Sequence, residues 1–147
     1  MKRNILFLMV MAVLLLSFTA CGGKKVSPED AEAMAGKWVV VAAEKGGEVN
    51  PQEGEITMQF GANGKVDYTI DGETNKYEWE KENSLITIWI KEGSIKRGRT
   101  AELEGDTLTL YLKDDDGEAV KLIFGREGTD AANPDQYITE DAVEQPE

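Results

Sequence analysis

From Gly36 to Arg126, apolar residues recur at every second position. Trp38, Val40 and Ala42 share one parity, as do Ile56, Met58 and Phe60, and then Val66, Tyr68 and Ile70. Tyr77 and Trp79 follow, then Ile86, Ile88 and Ile90, then Ile95, Ala101 and Leu103. Leu108, Leu110 and Leu112, and finally Val120, Leu122 and Phe124, complete the series. A period of two places alternate side chains on opposite faces, so each run predicts a strand with one buried face. Turn pairs separate the runs: Asn63-Gly64, Asp71-Gly72, Glu82-Asn83, Glu92-Gly93, Gly105-Asp106 and Asp116-Gly117. The gap after the first run, residues 44–54, is longer and contains Gly46-Gly47 and Pro51. Tight turns make sequence neighbours pair in space, and closure removes exposed edges. The expected fold is all-β, an eight-stranded antiparallel up-and-down barrel over residues 36–126.

The flanks follow other patterns. Lys2 and Arg3 precede an unbroken apolar run from Ile5 to Leu16, and Ser17-Phe18-Thr19-Ala20 leads to Cys21, Gly22 and Gly23. This is the layout of an export signal, and Thr19-Ala20-Cys21-Gly22 resembles a bacterial lipobox, with Phe18 where Leu is usual. The resemblance implies cleavage of residues 1–20 and a diacylglycerol on the Cys21 thiol. The protein would then be held on the extracytoplasmic side of a membrane. Because Gly22 is not the Asp that retains enteric lipoproteins in the inner membrane, the outer membrane is expected in a two-membrane cell. Two other readings stay open: an uncut anchor helix over the uncharged residues 4–23, and an ordinary signal with an incidental cysteine. Residues 21–35 read as a tether and a short helix near 28–35, with Ser27 as cap and Pro28 at the first position. Residues 127–147 read as a disordered acidic tail, with six acids and no base from Gly128 onward.

Charge and composition narrow the chemistry. The full chain has 16 basic and 28 acidic residues, net charge -12, and losing Lys2 and Arg3 makes it more negative still. Such a surface repels phosphate backbones, so nucleic acid is not an expected partner. With no histidine, the Ser-His-Asp and Cys-His mechanisms are excluded. A single cysteine excludes an internal disulfide. No S-x-x-K motif or facing carboxylate pair stands out, so no catalytic residue, metal or cofactor is assigned and an enzyme is not expected. Asp114-Asp115-Asp116-Gly117-Glu118 fails the EF-hand spacing, since Leu112 stands at the first ligand position, and reads as a turn.

Arg97 and Arg99 share the parity of Ile95 and Ala101, so a regular strand points them into the barrel. A buried unpaired charge is costly. Either they meet an anionic ligand or an internal carboxylate, or a bulge at Gly98 turns both outward; the glycine favours the bulge. Tyr68, Tyr77, Trp79 and Phe60 either line a pocket for an apolar ligand or fill the core.

Gly36-Lys37-Trp38 at the first strand resembles the Gly-x-Trp opening of lipocalins and the wider calycin group. Arg126, just after the last strand, stands where that family places an arginine over the tryptophan. The nearest likeness is to small lipocalin-like lipoproteins of bacteria. The resemblance implies that Trp38 and Arg126 form a structural pair closing one end. It also implies a non-catalytic module, expected to be a monomer, that binds a small apolar or amphipathic ligand. Arg97, Arg99, Tyr68, Tyr77 and Trp79 are the candidate contacts. The barrel is short for a lipocalin, which keeps open a filled barrel that binds an envelope protein through its rim.

Overall fold

A computed structural model describes residues 26–52 and 55–138; the expected signal at 1–20 and Cys21 lie outside the described residues. Helix α1 (Pro28–Ala33) precedes nine strands: β1 (Lys37–Lys45), β2 (Glu48–Pro51), β3 (Ile56–Phe60), β4 (Lys65–Ile70) and β5 (Glu73–Glu82). Then come β6 (Leu85–Glu92), β7 (Ile95–Glu104), β8 (Thr107–Lys113) and β9 (Ala119–Arg126). The sheet order is β2-β1-β3-β4-β5-β6-β7-β8-β9, and β1 also pairs with β9. Eight strands therefore close an antiparallel barrel, and β2 is a short arm on β1.

That arm lies in the stretch read as a gap. Gly46 and Gly47 have φ of 60° and 84°, a hairpin backbone that only glycine adopts freely. They fold Glu48–Pro51 against Ala42–Lys45. A second departure is in β1, where the register with β9 shifts between Val40 and Ala42. Past this bulge Ala43 pairs with Leu122, which packs on the core, while Ala42 pairs with Ile123. Ala42 therefore leaves the inward parity expected of it, yet both Val41 and Ala42 are buried. The segment after β9 explains this. Two 3₁₀ turns, Asp130–Ala132 and Pro134–Tyr137, pack on β1, β2 and β9. The segment expected to be disordered from residue 127 is thus ordered to Ile138; residues 139–147 lie outside the described residues.

The core is a bore filled by Met34, Trp38, Met58, Phe60, Val66, Trp79, Ile86, Leu108 and Phe124, among others. The closed end carries α1. Ser27 caps the helix through its hydroxyl, which accepts from the Asp30 amide at 3.2 Å, with Pro28 following. Met34 seals the core, and Trp38 Nε1 donates to the Met34 carbonyl at 3.1 Å. Lys81, 13% exposed, fastens the helix to β5 through Asp30 at 3.0 Å.

Arg126 draws the closed end together. Its guanidinium lies 4.5 Å from the Trp38 ring centroid. It donates to the carbonyls of Ala33 and Ala35 and, through Nε, to Asp106 at 2.8 Å. The last carbonyls of a helix lack intrahelical donors, and an arginine there satisfies them. One side chain therefore joins the helix end, the β7–β8 turn and the first-strand indole.

Candidate ligand site at the open end of the barrel

The opposite end is built differently. β3 pairs with β1 only along Lys37–Val39, and β8 pairs with β7 only along Ala101–Glu104. Towards the open end, over Ile95–Thr100, β7 is paired with β6 alone. The open half is thus two leaves, β3–β7 and β8–β9–β1–β2, with an unpaired seam on each side.

Arg97 and Arg99 lie on that free stretch of β7. The β6–β7 register runs without interruption from Leu85↔Glu102 to Glu92↔Ile95. There is no bulge at Gly98, and the outward turn expected from one does not occur. Arg99 pairs with Ile88 and Arg97 with Ile90, both on the inward parity of β6. Gly98 has another role: a Cβ there would meet the Trp89 ring at 3.2 Å. Arg97 is exposed and approaches Glu92 at 3.7 Å. Arg99 is half-buried, and among the described residues no carboxylate or hydrogen-bond acceptor meets its side chain.

Across the mouth, Tyr68 and Tyr77 are half-buried, with ring centroids 6.3 Å apart at 44°. Burial pushes the Tyr68 phenol above its ordinary pKa, and the neighbouring Tyr77 adds to the shift. Ile56, Ile90, Leu112 and Leu122 also pack at the upper margin of the core. Asn75 pairs with Tyr68 and so shares its inward face. At the rim, Lys45 bridges Asp114 at 2.6 Å and Glu118 at 2.9 Å. Those carboxylates raise the Lys45 pKa, Asp114 more than Glu118. Asp114 also accepts from the amides of Asp116 and Glu118 at 3.0 and 2.8 Å, so the acidic run is a turn tied to β1.

Trp79, by contrast, is not at the mouth. It is 2% exposed, meets Phe60 edge to face at 5.2 Å, and donates through Nε1 to the Gly61 carbonyl at 3.0 Å. Parity placed it inside, but its depth, near the closed end, makes it core. Asn75 escaped the sequence reading although it shares the parity of Tyr77, because an amide on an inward position carries no hydrophobic signal.

The family model for the lipocalin-like domain matches residues 34–110, from the end of α1 into β8. The chain belongs to the lipocalin-like family. No curated protein matches it. A lipocalin-like barrel, closed and filled at one end and splayed at the other, has the architecture of a small-molecule binding module. β9 and Arg126 lie beyond the matched residues, so the closing pair rests on its own geometry.

Proposed function

We propose that this lipocalin-like protein is a lipoprotein, anchored through Cys21 to the extracytoplasmic face of a membrane. Its open end holds a small amphipathic ligand with an anionic head, and it acts by binding rather than catalysis. One observation carries the ligand class: Arg99 faces inward at the mouth and meets no partner among the described residues. An inward guanidinium among apolar neighbours is costly unless an anion meets it. A carboxylate or phosphate head would bridge Arg99 and the exposed Arg97, while its apolar part would lie against Tyr68, Tyr77 and Ile90. Anchoring is supported by the lone cysteine after the apolar run, because two acyl chains on one residue suffice for stable attachment.

A second reading is favoured by how much of the bore Trp79, Phe60, Met58 and Phe124 occupy. In it the barrel is a filled scaffold and the rim contacts an envelope protein. Native mass spectrometry of protein purified from its own cell envelope separates the two. The proposed function predicts a chain beginning at Cys21, carrying a diacylglycerol mass, with an anionic amphiphile bound. A mature chain without the acyl mass would overturn the anchor. An acylated chain carrying a protein partner and no small ligand would favour the rim.

A further inference from the structure

We propose a second binding site on the outer wall of the barrel, where a neutral saccharide stacks on Trp89. It is separate from the mouth and does not depend on the reading above. A groove of about 300 Å³ runs across β5 between the β3–β4 turn and β6, at the lower end of small-molecule sites. Asn63 and Lys65 form one wall and Trp89 the other, with Glu78 and Glu80 between them and Lys96 beside the indole.

Three features select the ligand class. The first is the aromatic wall. Ile86, Ile88 and Ile90 face the core, so Trp89 is an indole on the outer parity of β6. Its ring leans on Gly98, which accounts for part of its placement as cover for a bare strand glycine. That packing leaves the indole N–H free: among the described residues no acceptor meets it. The negative face of an indole attracts positively polarised hydrogens, and the axial C–H groups of a pyranose ring supply them.

The second is charge. Among the described residues two carboxylates and two ammonium groups line the groove, a balanced set of charges in a chain of net charge -12. Glu78 accepts from Lys96 at 2.6 Å and from Lys65 at 3.3 Å. These two lysines, Lys96 foremost, hold its carboxyl below the ordinary range. An anionic or cationic ligand would have to break this balance, whereas hydroxyls join it as both donors and acceptors. The third is unused donor capacity. Asn63 Oδ1 accepts from the Lys65 amide at 3.1 Å, and its side-chain NH₂ meets no acceptor among the described residues. Amide and indole donors, carboxylate acceptors and an apolar plate are together what a polyhydroxylated ring requires.

Lys96, 5.2 Å from the Trp89 centroid, partly covers the plate. Its long, exposed side chain can swing aside and donate to a ring hydroxyl.

The test is an NMR titration of ¹⁵N-labelled protein with maltose, cellobiose and N,N′-diacetylchitobiose. Trp38 and Trp79 have indole N–H groups bonded to internal carbonyls, so the Trp89 signal reports on the groove alone. At least one of these sugars is expected to shift the Trp89 indole and Asn63 amide signals saturably, with the Trp38 signal still. Trp89→Ala should weaken that binding by about tenfold. Should that variant disturb β6–β7 pairing, Asn63→Ala, a turn-surface change, should weaken it on an intact barrel. The proposal is overturned if none of the three sugars moves the Trp89 signal. It is equally overturned if inorganic phosphate or glucuronate moves that signal more strongly than the neutral sugars do.

Discussion

The two ends of this barrel are made from the same alternating strands but are held in opposite ways. At the closed end the polar groups that hold it together are paired: the Trp38 indole binds the Met34 carbonyl, and Arg126 serves two carbonyls and Asp106. At the open end two seams are unpaired and one guanidinium, Arg99, meets no partner among the described residues. A protein can leave groups unsatisfied only where water or a ligand reaches them. The contrast therefore separates the part of the molecule that supplies stability from the part available for binding.

Changes at the closed end should have the largest effects. Trp38→Ala should cost about 3–5 kcal/mol in urea unfolding, as truncation of a fully buried aromatic. Arg126→Ala should cost about 2 kcal/mol, because it removes charged hydrogen bonds and leaves helix-end carbonyls unserved. Since the residues stack, the double variant should lose less than the sum; strict additivity would mean that the stack contributes nothing.

The outer layer formed by the 3₁₀ turns should come next. Deleting residues 128–147 uncovers Val41 and Ala42 and should cost about 1–2 kcal/mol, a drop of several degrees in midpoint. Gly125→Ala sharpens the test. A Cβ at Gly125 would come within 2.0 Å of the Ala131 carbonyl oxygen, so the change should destabilise the full chain and be tolerated in the truncated one. Equal effects in both would mean that the turns do not rest on β9.

The fastening of α1 should be weaker and pH-dependent. Hydrogen bonding from Lys81, then from Ser27, holds the Asp30 carboxyl below its ordinary pKa. A depressed folded-state pKa gives stabilisation that is full above the unfolded value and lost as pH falls through the folded one. Between about pH 5 and pH 2, wild type should therefore lose stability that Asp30→Asn lacks throughout, a difference under about 1 kcal/mol. Parallel pH profiles for the two proteins would show that the ion pair is idle.

The barrel strands were legible because each buries one face, which imposes a period of two from Ile56 to Phe124. The pattern fails where that constraint lapses. Trp38-Val39-Val40-Val41-Ala42-Ala43 is apolar throughout, since the 3₁₀ turns cover its outer side, and an unbroken run conceals the bulge. β2 has one apolar residue, Val49, and ends in Pro51, so the Gly46-Gly47 turn was its best signal. Acidic composition hid the ordered part of the tail, although Ala131, Ala132, Tyr137 and Ile138 gave it something to bury. At the candidate site, parity placed Arg97, Arg99, Tyr68, Tyr77 and Trp79 inside. It could not give depth, which makes Trp79 core and the others mouth. Gly98 suggested a bulge; the tertiary contact with Trp89 supplies the reason for a glycine there.

The division between a closed, structural end and an open, binding end is tested most directly at the arginines. Arg99→Ala and the double variant Arg97→Ala, Arg99→Ala should not lower the unfolding free energy by more than about 0.5 kcal/mol, since neither residue packs in the core. Each protein is then titrated with dodecanoate and with dodecanol, following the Tyr68, Tyr77 and Ile90 signals at the mouth and the Trp38 indole at the closed end. Dodecanoate is predicted to shift the mouth signals of wild type and leave Trp38 unmoved. It should bind wild type more tightly than dodecanol does, and the double variant should lose that preference. Equal affinity of dodecanoate for wild type and the double variant, or shifts centred on Trp38, would contradict the account.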